Sequence, residues 1–134
     1  MQVLILGCGE LVQHIAPALI GESYQVIILD EHQRCPDPTP RYPGAETVPS
    51  TGVLMEDLQR CDIDDVDAFL ALSEDDNQNA MAAQIASHIF SVPKVICHVG
   101  NPSKYNAYKN MGLNVVSSTA TVSENMLLYL KDLG

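Results

Sequence analysis

The sequence predicts one doubly wound α/β domain, in which helices cover both faces of a parallel sheet and make three αβα layers. Short β-branched runs alternate with helical patterns along the chain, as in βαβ units. The first run ends in a turn that contains Gly7 and Gly9, directly before a helical stripe. The 134 residues suit a single domain that spans 1–134. This combination is typical of the Rossmann type.

The first βαβ unit is the clearest part of the pattern. Gln2–Leu6 is a continuous apolar run, as expected for a strand buried on both faces of a sheet. Glu10–Ile20 has a helical apolar stripe that Gly21 ends, and Gln25–Leu29 is a second buried strand that ends at Asp30. We therefore expect the first two strands to lie side by side in the sheet.

The next segment breaks the alternation. Five prolines fall within fourteen residues, at Pro36, Pro38, Pro40, Pro43 and Pro49, and proline does not fit a helix interior. We predict an irregular loop over 32–46 and a short strand near Glu46–Pro49. The loop is interpreted as a surface connection, with a lid over a ligand as the alternative.

The second half resumes the alternation. The expected order is a helix at Gly52–Arg60, a strand at Val66–Leu72, a helix from the acidic segment Glu74–Asn77 to about Phe90, a strand at Lys94–Val99, a helix at Pro102–Met111, a strand at Asn114–Ser117 and a helix at Thr121–Leu130. The helix to Phe90 has Met81, Ile85 and Ile89 on one face. The last helix carries Val122, Met126, Leu127 and Leu130, which predict either a subunit contact or core packing.

Charge and composition exclude several classes of partner. The net charge is −10, and the first 33 residues contain no Lys or Arg. Nucleic-acid binding and adhesion to an anionic membrane both need basic surface, so neither is expected. No apolar stretch has the ~20 residues of a membrane span, and no basic segment precedes the first strand as in a secretory signal. We expect a cytoplasmic protein in which Cys8, Cys35, Cys61 and Cys97 are reduced.

The glycine turn and the acid after the second strand together predict a nucleotide site. Gly7 permits a tight turn, Gly9 lets the backbone approach a pyrophosphate, and the helix that follows offers unpaired amides. Asp30 lies where a carboxylate can accept hydrogen bonds from ribose hydroxyls. Val12 replaces a third glycine, and the Glu10 carboxylate would lie beside the phosphate. The alternative is an acidic strand terminus exposed to water.

A segment in the middle of the chain resembles a known family. The run Ala71-Leu72-Ser73-Glu74-Asp75-Asp76-Asn77-Gln78-Asn79-Ala80 follows a strand that ends in Asp67-Ala68-Phe69-Leu70. It is similar to the "alT-x-dD-x-x-N" motif of the N-terminal lobe of TrkA/RCK domains, with Ser73 in place of the threonine. Segments 92–96 and 101–112 continue the similarity, which covers nearly all of the chain except 32–50. Members of this family regulate bacterial potassium uptake systems and channels.

The resemblance implies a ligand and a set of binding residues. Family members bind NAD(H) or ATP/ADP; we expect NAD(H) here, with ATP, ADP or AMP as alternatives. By position, the phosphate loop would consist of Gly7, Cys8, Gly9, Glu10 and Leu11. The ribose would face Asp30 and Glu31, and the adenine side would be formed by Ser50, Thr51 and Gly52. The far end of the ligand would lie near Leu72 and Ser73. The sequence departs from the family at Glu10, where arginine is common, at Thr51, where aspartate is usual, and at His98, where an arginine often contacts phosphate.

The resemblance also implies a role. We expect a non-catalytic regulatory subunit whose nucleotide occupancy gates an integral-membrane potassium transporter or channel subunit, without direct insertion into the membrane. A homodimer or higher oligomer is expected, attached to the inner face of the cell membrane only through its partner. The C-terminal lobe of longer members has no counterpart in these residues, so a separate chain would complete the assembly.

Other interpretations rest on isolated features. The spacing of Tyr105 and Lys109 matches the pair of short-chain dehydrogenases, but the glycine pattern of those enzymes is absent. The acidic run 62–67 lacks the glycine and distal glutamate of a calcium loop, and no histidine spacing indicates a metal. His14 and His88 are expected on a helix surface or an interface, and His98 is the one histidine predicted to be a cofactor-binding residue. A third possibility is an assembly subunit with a degenerate site that binds no nucleotide.

Overall fold

The sheet follows the predicted doubly wound order. The computed structural model describes residues 1–31 and 42–132. Within them, six parallel strands are ordered β3-β2-β1-β4-β5-β6. Their bounds are β1 Gln2–Leu6, β2 Gln25–Asp30, β3 Ala45–Pro49, β4 Ala68–Ala71, β5 Lys94–His98 and β6 Val115–Val116. The chain starts at the centre of the sheet and adds strands first on one side and then on the other, which confirms the predicted fold class.

The helices occupy the segments that the sequence predicts, with ends that differ by a few residues. They are α1 Glu10–Gly21, α2 Leu54–Arg60, α3 Asp76–Gln84, α4 Pro102–Asn110 and α5 Ser118–Asp132. A 3-10 turn at Ile63–Asp65 precedes β4, and a π-helical turn at Ile85–Ile89 extends α3. None of the described helices combines the length and apolar character needed to cross a bilayer.

Alternation along β1 supplies both apolar layers of the core. Leu4 and Leu6 face α2 and α3, where they pack with Leu58 of α2. Val3 and Ile5 face the other way and pack with α1 through Val12 and Ala16. Successive side chains of a strand point to opposite faces, so one apolar run fills two layers. This explains why Gln2–Leu6 contains no polar residue after Gln2.

The packing face of α3 differs from the expected one. Met81 is 57% exposed and Ile89 58% exposed, so these residues do not form the buried stripe. The helix instead packs through its small residues, which are Ala80, Ala82, Ala83 and Ala86. Small side chains let the helix approach the sheet closely. The turn that holds Ile85 and Ile89 is π-helical, so α-helical spacing does not apply to it.

Helix α5 lies apart from the core. None of its fifteen described residues is buried, and Met126 and Leu130 are about two-thirds exposed. Val122, Leu127, Leu128 and Tyr129 are also at least half exposed. Of the two alternatives, packing of this face into the core is therefore wrong for the single chain. The exposed apolar residues of α5 form its apolar surface.

Most of the predicted proline-rich loop lies outside the described residues. The strand expected near Glu46–Pro49 is present as β3. The choice between a surface loop and a lid concerns 32–41, and these residues, with His32 and Cys35, are not described.

Candidate functional site

The turn after β1 needs glycine at its first position. Gly7 has a φ of +139°, and its amide donates to the Leu29 carbonyl oxygen at 3.1 Å. A β-carbon on Gly7 would lie 2.6 Å from the backbone oxygen of Leu72. Only a residue without a side chain lets the turn pass this close to the end of β4. The turn therefore brings the carboxyl ends of β1 and β4 together.

The first turn of α1 has amides without helical partners. Gly9 is the N-cap, and no side chain in the described part of the chain caps the helix. The first helical bond runs from the Gln13 amide to the Gly9 carbonyl oxygen at 3.2 Å. The amides of Glu10, Leu11 and Val12 precede that bond. Together with the positive end of the helix dipole, they form a geometry that suits an anion such as phosphate.

These amides open into a cleft of about 340 Å³. The cleft lies between β1 and β4, at the point where the strand order reverses and where open α/β sheets bind ligands. The structure brings six of the predicted site residues together there. The lining consists of Gly9, Glu10, Leu11, His14, Leu72, Ser73, Glu74, His98 and Ser118.

Both histidines of the lining have further contacts. His14 is exposed on the surface of α1, as expected, and it also lines the cleft. His98 Nε2 lies 2.8 Å from the Ser118 hydroxyl, which joins the end of β5 to the first residue of α5. The cleft therefore contacts the helix that carries the exposed apolar surface.

Asn79 holds two strand ends in place, a role that the sequence did not reveal. It is fully buried, and its Nδ2 donates to the backbone oxygens of Ser73 at 2.7 Å and His98 at 2.9 Å. Its Oδ1 accepts from the Ser73 amide at 2.8 Å. One amide thus bridges the ends of β4 and β5. The signal was available, because Asn79 occupies the last position of the family motif.

The two aspartates of the same motif are also structural. Asp75 is the N-cap of α3 and accepts from the amides of Asn77 at 3.0 Å and Gln78 at 3.2 Å. Asp76 accepts from the amides of Gly100 at 2.9 Å and Asn101 at 3.0 Å, which fixes the loop after β5. The motif therefore builds one wall of the cleft through hydrogen bonds to backbone.

The acid at the end of β2 is not an exposed terminus. Asp30 is 8% exposed and Glu31 3% exposed, so the alternative of a water-exposed acidic strand end is wrong. The Asp30 carbonyl oxygen accepts from the Ser50 amide at 2.8 Å, which ties this strand end to the residue after β3. Cys8 Sγ lies 3.5 Å from the Glu31 carbonyl oxygen. Burial, and to a lesser extent the Asp30 carboxylate, raise the pKa of Tyr42.

The segment predicted for the adenine side is held by an aspartate that the sequence did not single out. Asp57 is 1% exposed and accepts from the Ser50 hydroxyl at 2.9 Å, the Thr51 amide at 3.1 Å and the Thr51 hydroxyl at 2.7 Å. Arg60 donates to it at 2.9 Å and to the Pro49 carbonyl oxygen at 2.7 Å. Burial alone would raise the pKa of Asp57, but these hydrogen bonds lower it below its ordinary value.

This arrangement changes the expected roles of Ser50, Thr51 and Gly52. The hydroxyls of Ser50 and Thr51 point to Asp57, and the Gly52 amide donates to the Ser50 hydroxyl at 3.1 Å. Among the described residues, none of these three lines the cleft beside Gly9. They form a second region, next to Asp30, on the other side of the glycine turn.

The dehydrogenase-like pair lies outside the cleft lining. Tyr105 is partly buried and packs against the cluster that contains Cys97 and Leu113. Lys109 Nζ lies 5.7 Å from the centre of the Tyr105 ring, a cation–π contact. Both residues are on α4, so their spacing serves the packing of a helix surface.

The cysteines differ in state. Cys61 and Cys97 are free and buried, as expected, and burial raises the pKa of each thiol to about 11. Cys8 is disulfide-bonded, so the expectation of a reduced thiol is wrong at this position.

Comparison with known proteins places these features in context. The Trk system potassium uptake protein TrkA of Streptomyces coelicolor is 28% identical over 135 residues, which cover 97% of this chain and 58% of that protein. A TrkA homolog of Methanothermobacter thermautotrophicus is 27% identical over 119 residues, which cover 88% of this chain and 54% of that protein. The chain therefore spans little more than half the length of these relatives.

Solved structures show the same fold. The Kef C-terminal domain of Shewanella denitrificans in an AMP-bound form covers 100% of this chain and 82% of its own, with a TM-score of 0.79 and 17% identity. The TrkA-N domain of the Escherichia coli inner membrane protein ybaL covers 96% of both chains, with a TM-score of 0.78 and 14% identity. The GsuK channel bound to NAD covers 96% of this chain and 23% of its own, with a TM-score of 0.73 and 20% identity. The TrkA-N domain family matches residues 3–119, and the chain therefore belongs to that family.

Proposed function

We propose that this chain binds an adenine nucleotide and acts as a non-catalytic regulatory subunit of a potassium transport system. NAD(H) is the preferred ligand, with ATP, ADP or AMP as alternatives. The observation that carries the proposal is the uncapped start of α1, which opens into a cleft at the strand-order reversal beside Gly7 and Gly9. Relatives named as potassium uptake proteins, and related folds solved with AMP or NAD, support it.

Each part of the ligand has proposed partners. The pyrophosphate lies against the amides of Glu10 and Leu11, within a loop formed by Gly7, Cys8, Gly9, Glu10 and Leu11. The ribose contacts Asp30 and Glu31 at the end of β2. Ser50, Thr51 and Gly52 face the adenine, while Leu72, Ser73 and His98 lie towards the far end of the ligand. In this arrangement, the backbone around 50–52 contacts the adenine, because the hydroxyls of Ser50 and Thr51 are bound to Asp57.

A thermal-shift titration with NAD, NADH, ATP, ADP and AMP tests the site. A ligand at 100 times its dissociation constant adds about 2.7 kcal/mol to the free energy of unfolding. The matched variants are Gly9→Ala and Gly21→Ala. A methyl group on Gly9 enters the phosphate loop, and the atoms nearest to it belong to the flexible side chain of Glu74, with Oε1 at 2.7 Å. We therefore expect the protein to fold and its binding to weaken at least tenfold. Gly21 has no described atom within 4 Å of its β-carbon position, so that variant binds as the wild type does.

The outcome separates three functions. Stabilisation that Gly9→Ala removes and Gly21→Ala keeps supports nucleotide binding. No stabilisation by any of the five nucleotides overturns the sensor and leaves an assembly subunit with a degenerate site. Hydride transfer from NADH to a substrate would instead overturn the non-catalytic role.

The regulatory role also requires assembly. We propose a homodimer or larger ring in the cytoplasm that contacts an integral-membrane transporter or channel subunit. The exposed apolar residues of α5 support it, because a group of large exposed apolar side chains is typical of an interface. Replacement of Met126 and Leu130 by glutamate is expected to give monomers by light scattering. An unchanged oligomer mass would refute the role of this face.

Coupling to the membrane partner needs a ligand that binds two arrangements of the assembly with different affinities. The contact between His98 and Ser118 offers a direct connection, because it joins the cleft to the start of α5. Patch-clamp or ion-flux measurements on the reconstituted partner, with and without nucleotide, test the gating itself.

A further inference from the structure

The cleft proposed for the nucleotide has an unusual balance of charge. Its lining includes two carboxylates, Glu10 and Glu74, and two imidazoles, His14 and His98. Among the described residues that line it, none is a lysine or an arginine. Phosphate groups bound here therefore gain from backbone amides and lose to two carboxylates.

Glu74 places a carboxylate from outside the phosphate loop against Gly9. A β-carbon on Gly9 would be 2.7 Å from Glu74 Oε1, so the carboxylate lies directly over the glycine at the helix start. Glu74 is exposed and follows β4, on the wall opposite α1. Within the described residues, no hydrogen bond or ion pair holds its side chain. Its negative charge thus stands uncompensated beside the place proposed for the phosphates.

The charge of adenine nucleotides differs most at the terminal phosphate. A pyrophosphate diester, as in a dinucleotide, carries one negative charge on each phosphate. The terminal phosphate of ADP or ATP carries close to two. Two like charges about 4 Å apart repel by ~1 kcal/mol even in bulk water, which is about fivefold in affinity for each additional charge.

We propose that Glu74 is a specificity-determining residue that selects dinucleotides, with their diester phosphates, over ADP and ATP. The inference rests on the proposed nucleotide site and names the ligand class that it takes. Glu10 contributes to the same selection from the first turn of α1, and its side chain is exposed like that of Glu74. Glu74 is the better test because its carboxylate is placed over the loop itself.

The prediction concerns a ratio of dissociation constants, so it is independent of overall affinity. Isothermal titration of the wild type with NAD and ATP at low ionic strength is expected to show tighter binding of NAD. Glu74→Gln keeps the size of the side chain and removes its charge, and it is expected to lower the ratio of the ATP to the NAD dissociation constant by about fivefold. A higher salt concentration is also expected to lower the ratio of the ATP to the NAD dissociation constant in the wild type, because salt screens the repulsion between Glu74 and the phosphates.

The matched control is Glu22→Gln. It removes one carboxylate at the far end of α1, roughly 18 Å from the helix start at ~1.5 Å per residue, and is expected to leave the ratio unchanged. A wild type that binds neither nucleotide overturns both the proposed function and this inference. If both nucleotides bind but Glu74→Gln shifts their affinities equally, the inference alone is overturned. A lowering of the ratio by about fivefold in Glu74→Gln that Glu22→Gln does not reproduce supports it.

Discussion

Replacement of Asp57 by asparagine is expected to destabilise the protein strongly. The carboxylate is 1% exposed and accepts hydrogen bonds from Ser50, Thr51 and Arg60. An asparagine has nearly the same shape, but one of its two terminal atoms is a donor. That NH₂ group would face groups that also donate, and the charge that pairs with Arg60 would be lost.

The size of the effect follows from these contacts. A hydrogen bond to a charged group contributes about 1.5–3 kcal/mol, and removing one member of a buried ion pair costs about 3–5 kcal/mol. The side chain of Arg60 is 43% exposed, so solvent screens the ion pair and the lower end applies to it. We expect a loss of about 3 kcal/mol, which lowers the melting temperature by about 10 °C in a domain of this size.

Urea denaturation followed by far-UV circular dichroism is the appropriate measurement, because the chain contains no tryptophan. The control is Asp64→Asn, an exposed aspartate in the 3-10 turn, which is expected to change the free energy of unfolding by less than about 0.5 kcal/mol. Equal stability of the two variants near pH 7 would refute the role assigned to Asp57.

The effect of Asp57→Asn also depends on pH. The pKa of Asp57 is lowered in the folded protein, so the folded state binds the proton less readily than the unfolded chain. The stabilisation is therefore complete above the ordinary value of 3.8 and disappears as the pH falls through the lower folded-state pKa. The difference between wild type and variant should be constant from neutral pH to about 5 and shrink below 3.8. A difference in stability between wild type and Asp57→Asn that stays constant below pH 3.8 would contradict the lowered pKa of Asp57.

Three further predictions follow from the same structure. Gly7→Ala is expected to cost about 2–4 kcal/mol in urea denaturation, because its β-carbon would meet backbone, whereas Gly112→Ala, also at positive φ but with open space, should cost about 1 kcal/mol. Asn79→Leu leaves buried backbone groups without partners and is expected to cost about 3 kcal/mol; a loss below 1 kcal/mol would show that water replaces the amide. Alkylation of Cys61 and Cys97, followed by peptide mapping, should be slow in the folded protein at pH 8 and rapid in urea, because burial raises both pKa values to about 11.

Local sequence patterns predicted the fold well where the packing of a segment directly determines which residue types it can contain. A buried parallel strand must be apolar on both faces, so Gln2–Leu6 and Gln25–Leu29 could be placed from composition alone. The glycine turn was predictable for a similar reason, since a positive φ and a close backbone approach both require glycine at position 7. These are constraints that act on single residues or on short segments.

The errors arise where packing and hydrogen bonds depend on how the elements are arranged in space and not on a local pattern. The packing of α3 through alanines depends on how closely the helix approaches the sheet, which periodicity does not reveal. The apolar residues of α5 gave the same pattern as a core helix, because periodicity reports an apolar face and not what covers it. Asp57 and Asn79 were missed for a related reason. Their partners lie in other loops, and an acid or amide inside a helix normally faces solvent.

The bridge made by Asn79 has a mechanical consequence. Three short hydrogen bonds from one buried amide fix the ends of β4 and β5 relative to each other, so these two strands can shift only as a unit. The opposite side of the crevice has no such brace among the described residues and contains the solvent-exposed Glu10 and His14. A molecule bound in the crevice would therefore contact a rigid wall at the ends of β4 and β5 and a less constrained wall at the start of α1. Any displacement that it causes would pass towards α1 and leave the ends of β4 and β5 in place.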